Sequence, residues 1–308
     1  MLLRAPTPAV FIATHLARQQ ARHDPDGSAG GEWRTMGDLL RDDAQAVRDA
    51  HARLVAAGTS DRAAAKYLAG WIGGLLGGVV GFTYATTGAG LHTDGTVRWR
   101  FHPGGWPDRV DVSRVGVVVP PGHRWAGLPG VESVRDPDVV RSRTVDALVQ
   151  AIVGAIDVVH GLAKVGRNSL WAEVADGLGA ATTSCPGLPD CADTIAPLEA
   201  LLRVPDAPWR ARPRLWRARG QTGPLVVARK GGCCLAYTCT VQGEPAGLDD
   251  DSDYGIFSRR FPQEAGEPSY CSTCRLRTPG DVEARQVFWT DLMAARTSPA
   301  AEDVPADR

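Results

Sequence analysis

The sequence predicts an α+β fold, rich in helix, with a small mixed or antiparallel sheet and a C-terminal segment whose cysteines ligate a metal. Three observations carry that prediction. Apolar residues recur at helical spacing, most clearly Val145, Val149, Ile152, Ile156 and Val159. Strand signals are few and short. Near the C-terminus, Cys233-Cys234 is followed by Cys271-Ser272-Thr273-Cys274, two thiol pairs that together offer four soft ligands. Four thiolates are enough to complete the coordination of a [2Fe-2S] cluster or of one Zn²⁺.

The elements follow in order. Residues 22–34 are Gly- and Asp-rich and read as a loop, and a polar helix is expected from about Gly37 to Ala57. A Gly-rich helix starts near Asp61. Between Tyr67 and Leu91 it carries no charge, and Gly70, Gly74 and Gly78 repeat at four-residue spacing. That pattern suits either a buried core helix or a membrane span packed through small residues. Its eight glycines lower the hydropathy and no second span accompanies it, so the buried helix is expected. Val97–Phe101 alternates as a strand does, and Val115–Val119 is β-branched and ends at Pro120-Pro121-Gly122. Helices are expected at about Pro137–Lys164 and from Leu170-Trp171 to Leu178. Pro-rich loops near 186–189 and 204–213 lead to a strand at Leu225–Arg229, and an amphipathic helix covers about Asp281–Ala295. The resulting organisation is an N-terminal helical extension (1–60), an α+β body (61–222), a cysteine segment (223–280) with an acidic insertion at 240–270, and a terminal helix with a frayed tail (281–308).

Charge and cysteine usage narrow the class. With 34 basic and 35 acidic side chains in 308 residues, the chain lacks the basic footprint of a nonspecific nucleic-acid binder. Five of seven cysteines fall between 233 and 274, a crowding that suits a metal site better than a disulfide framework. Thiolate ligands survive in a reducing compartment and the N-terminus shows no leader-like apolar run, so a cytoplasmic location is expected. No G-x-G-x-x-G after a strand, P-loop, H-E-x-x-H or G-x-S-x-G occurs.

Zinc sites of the four-cysteine type usually pair two C-x₂₋₄-C knuckles. Here one pair is vicinal, and neighbouring residues of an extended chain point to opposite sides. A two-iron cluster offers such ligands a larger target than one tetrahedral ion, which favours iron–sulfur without removing zinc.

The stretch Arg229-Lys230-Gly231-Gly232-Cys233-Cys234-Leu235-Ala236-Tyr237, followed by Tyr270-Cys271-Ser272-Thr273-Cys274-Arg275-Leu276, resembles the C-terminal signature of the FhuF-like ferric siderophore reductases. Asn168-Ser169-Leu170-Trp171 to Asp176 is similar to that family's Leu-Trp…Asp helix, and Ala63–Arg100 to its N-terminal helix and strand. The resemblance implies a [2Fe-2S] cluster on Cys233, Cys234, Cys271 and Cys274. It further implies reduction of siderophore-bound Fe(III), of hydroxamate type, by an external donor such as a ferredoxin or a flavin- or NAD(P)H-dependent reductase. One departure stands out: 36 residues separate Cys234 from Cys271, where the family has ten. Loop closure costs grow only logarithmically, so the insertion is tolerable, and it brings in Cys239 as a substitute ligand or a plain buried thiol. The alternative reading is a structural zinc or redox-sensing Cys₄ protein without turnover.

Other residues are candidates of lower rank. Arg229, Lys230, Arg275 and Arg277 flank the cysteines, as tuning cations or as solvated charge. Trp209, Arg210, Arg212, Arg214, Trp216, Arg217 and Arg219 form a solvated loop or a docking patch for an anionic siderophore or acidic ferredoxin. His160 is expected on a helix surface or satisfied in the core, Trp171 in the core rather than stacked on substrate, and Cys185 and Cys191 as free thiols that could pair if oxidised.

Overall fold

The computed structural model describes Pro8 and residues 31–92, 97–102, 106–183, 191–238, 257, 260–262 and 270–297. Its frame is a set of helices. Helix α1 (Met36–Ala56) starts from a capping box in which Thr35 and Asp38 satisfy each other's backbone amides, and its course breaks at Arg41–Ala44. Helix α2 (Asp61–Thr87) is capped by Ser60 and ends at Gly88 in the left-handed conformation. Helix α3 (Pro137–Leu162) begins with Asp136 as cap and Pro137 in the first turn, where the missing N–H costs nothing. Helix α4 (Arg167–Gly179) lies against α2, and the short α5 (Ile195–Leu202) follows.

The glycines of α2 are explained by α4. A methyl on Gly73 would stand 2.5 Å from Val174, one on Gly81 would stand 2.7 Å from the Leu178 carbonyl, and one on Gly177 would stand 2.4 Å from the Cα of Gly74. Small-residue spacing here serves close backbone approach inside the protein, and α2 is largely buried as expected. The sequence reading found no second span, yet α3 is also long and apolar enough to cross a membrane, so two helices meet that description among the described residues.

In place of one sheet there are three small ones. Strands β1 (Glu32–Thr35), β3 (Arg98–Phe101) and β4 (Pro107–Asp111) form an antiparallel sheet in the order β1-β3-β4. Strands β2 (Gly90–His92), β5 (Gly116–Val119) and β6 (Val131–Ser133) form a mixed one, β5 pairing antiparallel with β2 and parallel with β6. Strands β7 (Arg214–Gly220) and β8 (Gly223–Arg229) make a hairpin. Two expected loops are therefore corrected. The end of the 22–34 loop is β1, recruited by pairing with β3, and half of the arginine-rich stretch is β7, with Leu215 buried and Arg217 and Arg219 exposed.

The main core gathers Leu39 and Val47 of α1 with Leu68, Ile72 and Leu76 of α2 and Leu148, Ile152 and Ile156 of α3. A smaller cluster, Leu225, Val227 and Val282, lies between the hairpin and helix α6 (Pro279–Thr297). Gln286 on α6 exchanges two hydrogen bonds with the backbone of Ala228, and Glu283 accepts from the Trp216 indole at 2.7 Å. Within the 240–270 insertion, Phe257 and Phe261 pack their rings on Phe288 and Trp289 of α6.

Candidate metal centre

Strand β8 delivers Arg229, Lys230, Gly231 and Gly232 to the first cysteine pair. The glycines are required by contact: a Cβ on Gly231 would fall 2.2 Å from the Arg212 carbonyl oxygen, and one on Gly232 would fall 2.9 Å from the Ala172 methyl. Beneath them sits α4. Asp176 accepts from the Gly231 amide at 2.8 Å and the Gly232 amide at 3.1 Å. One turn earlier, Glu173 lies between two ammonium groups, Lys66 Nζ at 2.8 Å and Lys230 Nζ at 2.8 Å. Lys66 is wholly buried and also donates to Ser169 Oγ at 2.9 Å.

The second pair is docked onto the first by backbone and arginine. The Lys230 amide donates to the Thr273 carbonyl at 2.9 Å, and Arg275 donates to the Gly231 carbonyl at 3.1 Å. Arg277 donates to the carbonyls of Cys271 (3.0 Å) and Tyr270 (2.9 Å) and pairs with Asp281 of α6 at 2.7 Å. Arg229 in turn donates to the Arg277 carbonyl at 3.4 Å. Arg229 and Arg275 thus join the two cysteine segments, and Arg277 braces the second one against α6. Lys230 is the one whose charge acts on the thiols, being coupled to Cys271 and Cys234.

All four predicted cysteines meet here. Cys234 and Cys274 are buried, and Cys233 and Cys271 half-buried. Cys234 Sγ donates to Cys271 Sγ at 3.7 Å, and Cys274 interacts with Cys271, Cys233 and Cys234. The thiols share protons unequally. The bond to Cys271, reinforced by burial, drives the Cys234 thiol far above its usual range, whereas the bond from Cys271 outweighs burial and lowers Cys274 to about 6. Amides help in matching ways: Ala236 donates to Cys234 and Leu276 donates to Cys274 Sγ at 3.4 Å, each from two residues beyond its cysteine. Leu235, between Cys234 and Ala236, takes a positive φ of 62° that aims its neighbour's N–H back at the sulfur.

The acids below respond to the same field. Burial pushes Asp176 up to about 6, against the pull of Lys230. Burial would raise Glu173 too, but Lys230 and Lys66 overcome it and hold that carboxyl below its usual range. Burial works against the Lys230 charge, and Glu173, Cys271 and Cys234 more than restore it, raising its pKa.

Metal–sulfur bonds of about 2.3 Å put two ligands of one tetrahedral ion about 3.8 Å apart, and the Cys234–Cys271 separation of 3.7 Å matches that edge. Among the described residues no group of three or more His, Cys, Asp or Glu side chains is arranged around an ion as it stands. The fit therefore rests on the pair spacing and donor chemistry: four sulfurs, two N–H···S bonds and one half-buried cation.

Lys66, Glu173 and Asp176 were missed as site residues in the sequence. The available signal was one lysine at the edge of an apolar run, and two acids three apart on one helical face. Other candidates fall elsewhere. His160 donates from Nδ1 to the Val165 carbonyl at 2.7 Å, and Trp171 is core as expected. Trp209 is buried and donates to the Leu202 carbonyl at 3.0 Å. Cys191 opens a 3₁₀ turn, and Cys185 and Cys239 lie outside the described residues, as does the acidic run 249–253. Set beside family models, curated proteins and solved structures, the chain matches none.

Proposed function

We propose that this protein is a cytoplasmic ferric-siderophore reductase of the FhuF-like kind, with Cys233, Cys234, Cys271 and Cys274 as ligands of a [2Fe-2S] cluster. The observation that carries the reading is the convergence of four thiols, from segments 36 residues apart, on a platform made of α4. When bound, the cluster supplies a one-electron carrier whose charge goes from −2 to −3 on reduction. The chain's part is electrostatic and steric. Lys230 offsets the added negative charge, the Ala236 and Leu276 amides donate to sulfur, and α4 closes the site from below. Cations and N–H···S bonds of this kind raise a reduction potential.

The substrate is Fe(III) held by hard oxygen donors. A bound cluster would supply the one electron that takes it to Fe(II), which leaves because those donors hold it poorly. A separate ferredoxin or flavin- or NAD(P)H-dependent reductase returns the carrier to its reduced state.

The test is absorption and EPR spectroscopy of anaerobically purified protein before and after dithionite, with iron, sulfide and zinc assayed together. Two irons and two sulfides per chain, bleaching to a spin-½ signal, are expected, followed by turnover of a ferric chelate. A colourless protein carrying one zinc, which has no visible absorption, and refusing reconstitution with iron and sulfide, would replace this reading with the structural one.

A further inference from the structure

We infer that the cavity between the start of α4 and the loop leading to β7 binds the ferric chelate, and that it selects an anionic one. This rests on the reductase reading above. The cavity has a volume of about 680 Å³, within the range that takes a drug-sized ligand. Arg167, Arg203, Arg210 and Arg212 ring it, and the buried Trp171 and Trp209 contribute to its wall.

Its charge is unevenly compensated. Arg167 pairs with Asp157 at 2.9 Å and Arg203 with Glu199 at 2.9 Å. Arg210 and Arg212 have no carboxylate partner among the described residues, and Asp206 is the acid in the lining. The cavity also shares a wall with the cysteine loop. The Arg212 backbone abuts Gly231, and Trp171 precedes Ala172, whose methyl abuts Gly232.

Charge counting identifies the ligand class. Three hydroxamates, each a monoanion, neutralise Fe(III) and leave a chelate that arginines do not attract. Three catecholates, each a dianion, leave −3, and carboxylate-bearing chelates are anionic too. Reduction adds one more negative charge. Guanidinium forks match paired anionic oxygens and stack on aromatic rings, so the lining suits catecholate or carboxylate chelates better than the hydroxamates expected from the resemblance.

Gallium(III) chelates test this without redox chemistry, because Ga(III) is not reduced under these conditions. Binding of Ga(III) tris-catecholate and of a neutral Ga(III) tris-hydroxamate is measured by calorimetry on the purified holoprotein. The anionic chelate is expected to bind at least tenfold tighter. The double variant Arg210→Gln/Arg212→Gln is expected to weaken it at least fivefold with the visible spectrum unchanged, and Arg219→Gln, on β7, is expected to leave it unchanged. Equal affinities, no binding, or a double variant that binds like the wild type would overturn the inference. The Fe(III) chelates separate the two readings. Arginine-dependent binding without iron reduction keeps the cavity assignment and removes the reductase, whereas reduction without charge preference does the reverse.

Discussion

Replacing Glu173 by Gln removes the one carboxylate that two buried or half-buried ammonium groups share. Lys66 Nζ and Lys230 Nζ each stand 2.8 Å from it, and Lys66 has no exposed surface on which to recover hydration. Breaking a buried ion pair from one side costs about 3–5 kcal/mol, because the surviving charge is left uncompensated. For 308 residues, roughly 2.1 cal/mol/K per residue gives an unfolding entropy of about 0.65 kcal/mol/K, so the melting temperature should fall by about 5–8 °C. Calorimetry on Glu173→Gln reads this directly. Adding Lys66→Met removes one orphaned charge, and should return about half of the loss if the cost is electrostatic. A drop below about 2 °C in the single variant, or a double variant that is only worse, would refute the account.

Asp176, held at about 6 against an ordinary 3.8, binds an extra proton in the folded chain between those values, so its contribution to stability is lost as pH rises through that window. In Asp176→Asn, the melting temperature relative to wild type should climb from pH 4 to pH 6.5; a flat or falling difference would remove the argument. Gly232→Ala should cost about 1–3 kcal/mol through overpacking, because its methyl meets Ala172 at 2.9 Å. It should also reduce the metal content while far-UV circular dichroism stays unchanged, and wild-type metal content and melting would contradict the contact. Cys274→Ser should abolish or grossly alter the metal-bound spectrum, whereas Cys185→Ser and Cys191→Ser should not. An unaltered spectrum in Cys274→Ser would transfer the ligand role to Cys239.

The long helices were legible because they carry their own periodicity, and α1, α2 and α3 their own caps, whereas the short, uncapped α5 was not expected. Pro137 opens α3 and Asp61 opens α2, both where expected. The short strands were not, because β2 and β6 have three residues each and owe their existence to partners distant in sequence. Strand β7 was hidden by composition: four of its seven residues are Arg or Gly, and its alternation of exposed Arg217 and Arg219 around Ala218 is visible only once β8 is known to pair with it. The gathering of the four cysteines was readable, since thiol chemistry and spacing are properties of the sequence itself. Its support was not, because the Lys66–Glu173 pair joins residues 107 positions apart with no local pattern linking them.

The glycine-to-glycine contact of α2 and α4 has a mechanical meaning as well. Where Gly177 meets Gly74 there are no side chains to change rotamer, so the two backbones touch as hard surfaces. Glu173 and Asp176 project from this seam toward the cysteines. The cluster proposed above would change its charge by one unit on reduction, a task best served by surroundings that barely rearrange. The seam makes α4 a stiff bench, on which the field of Glu173 and Lys230 beneath the cysteines is set in advance.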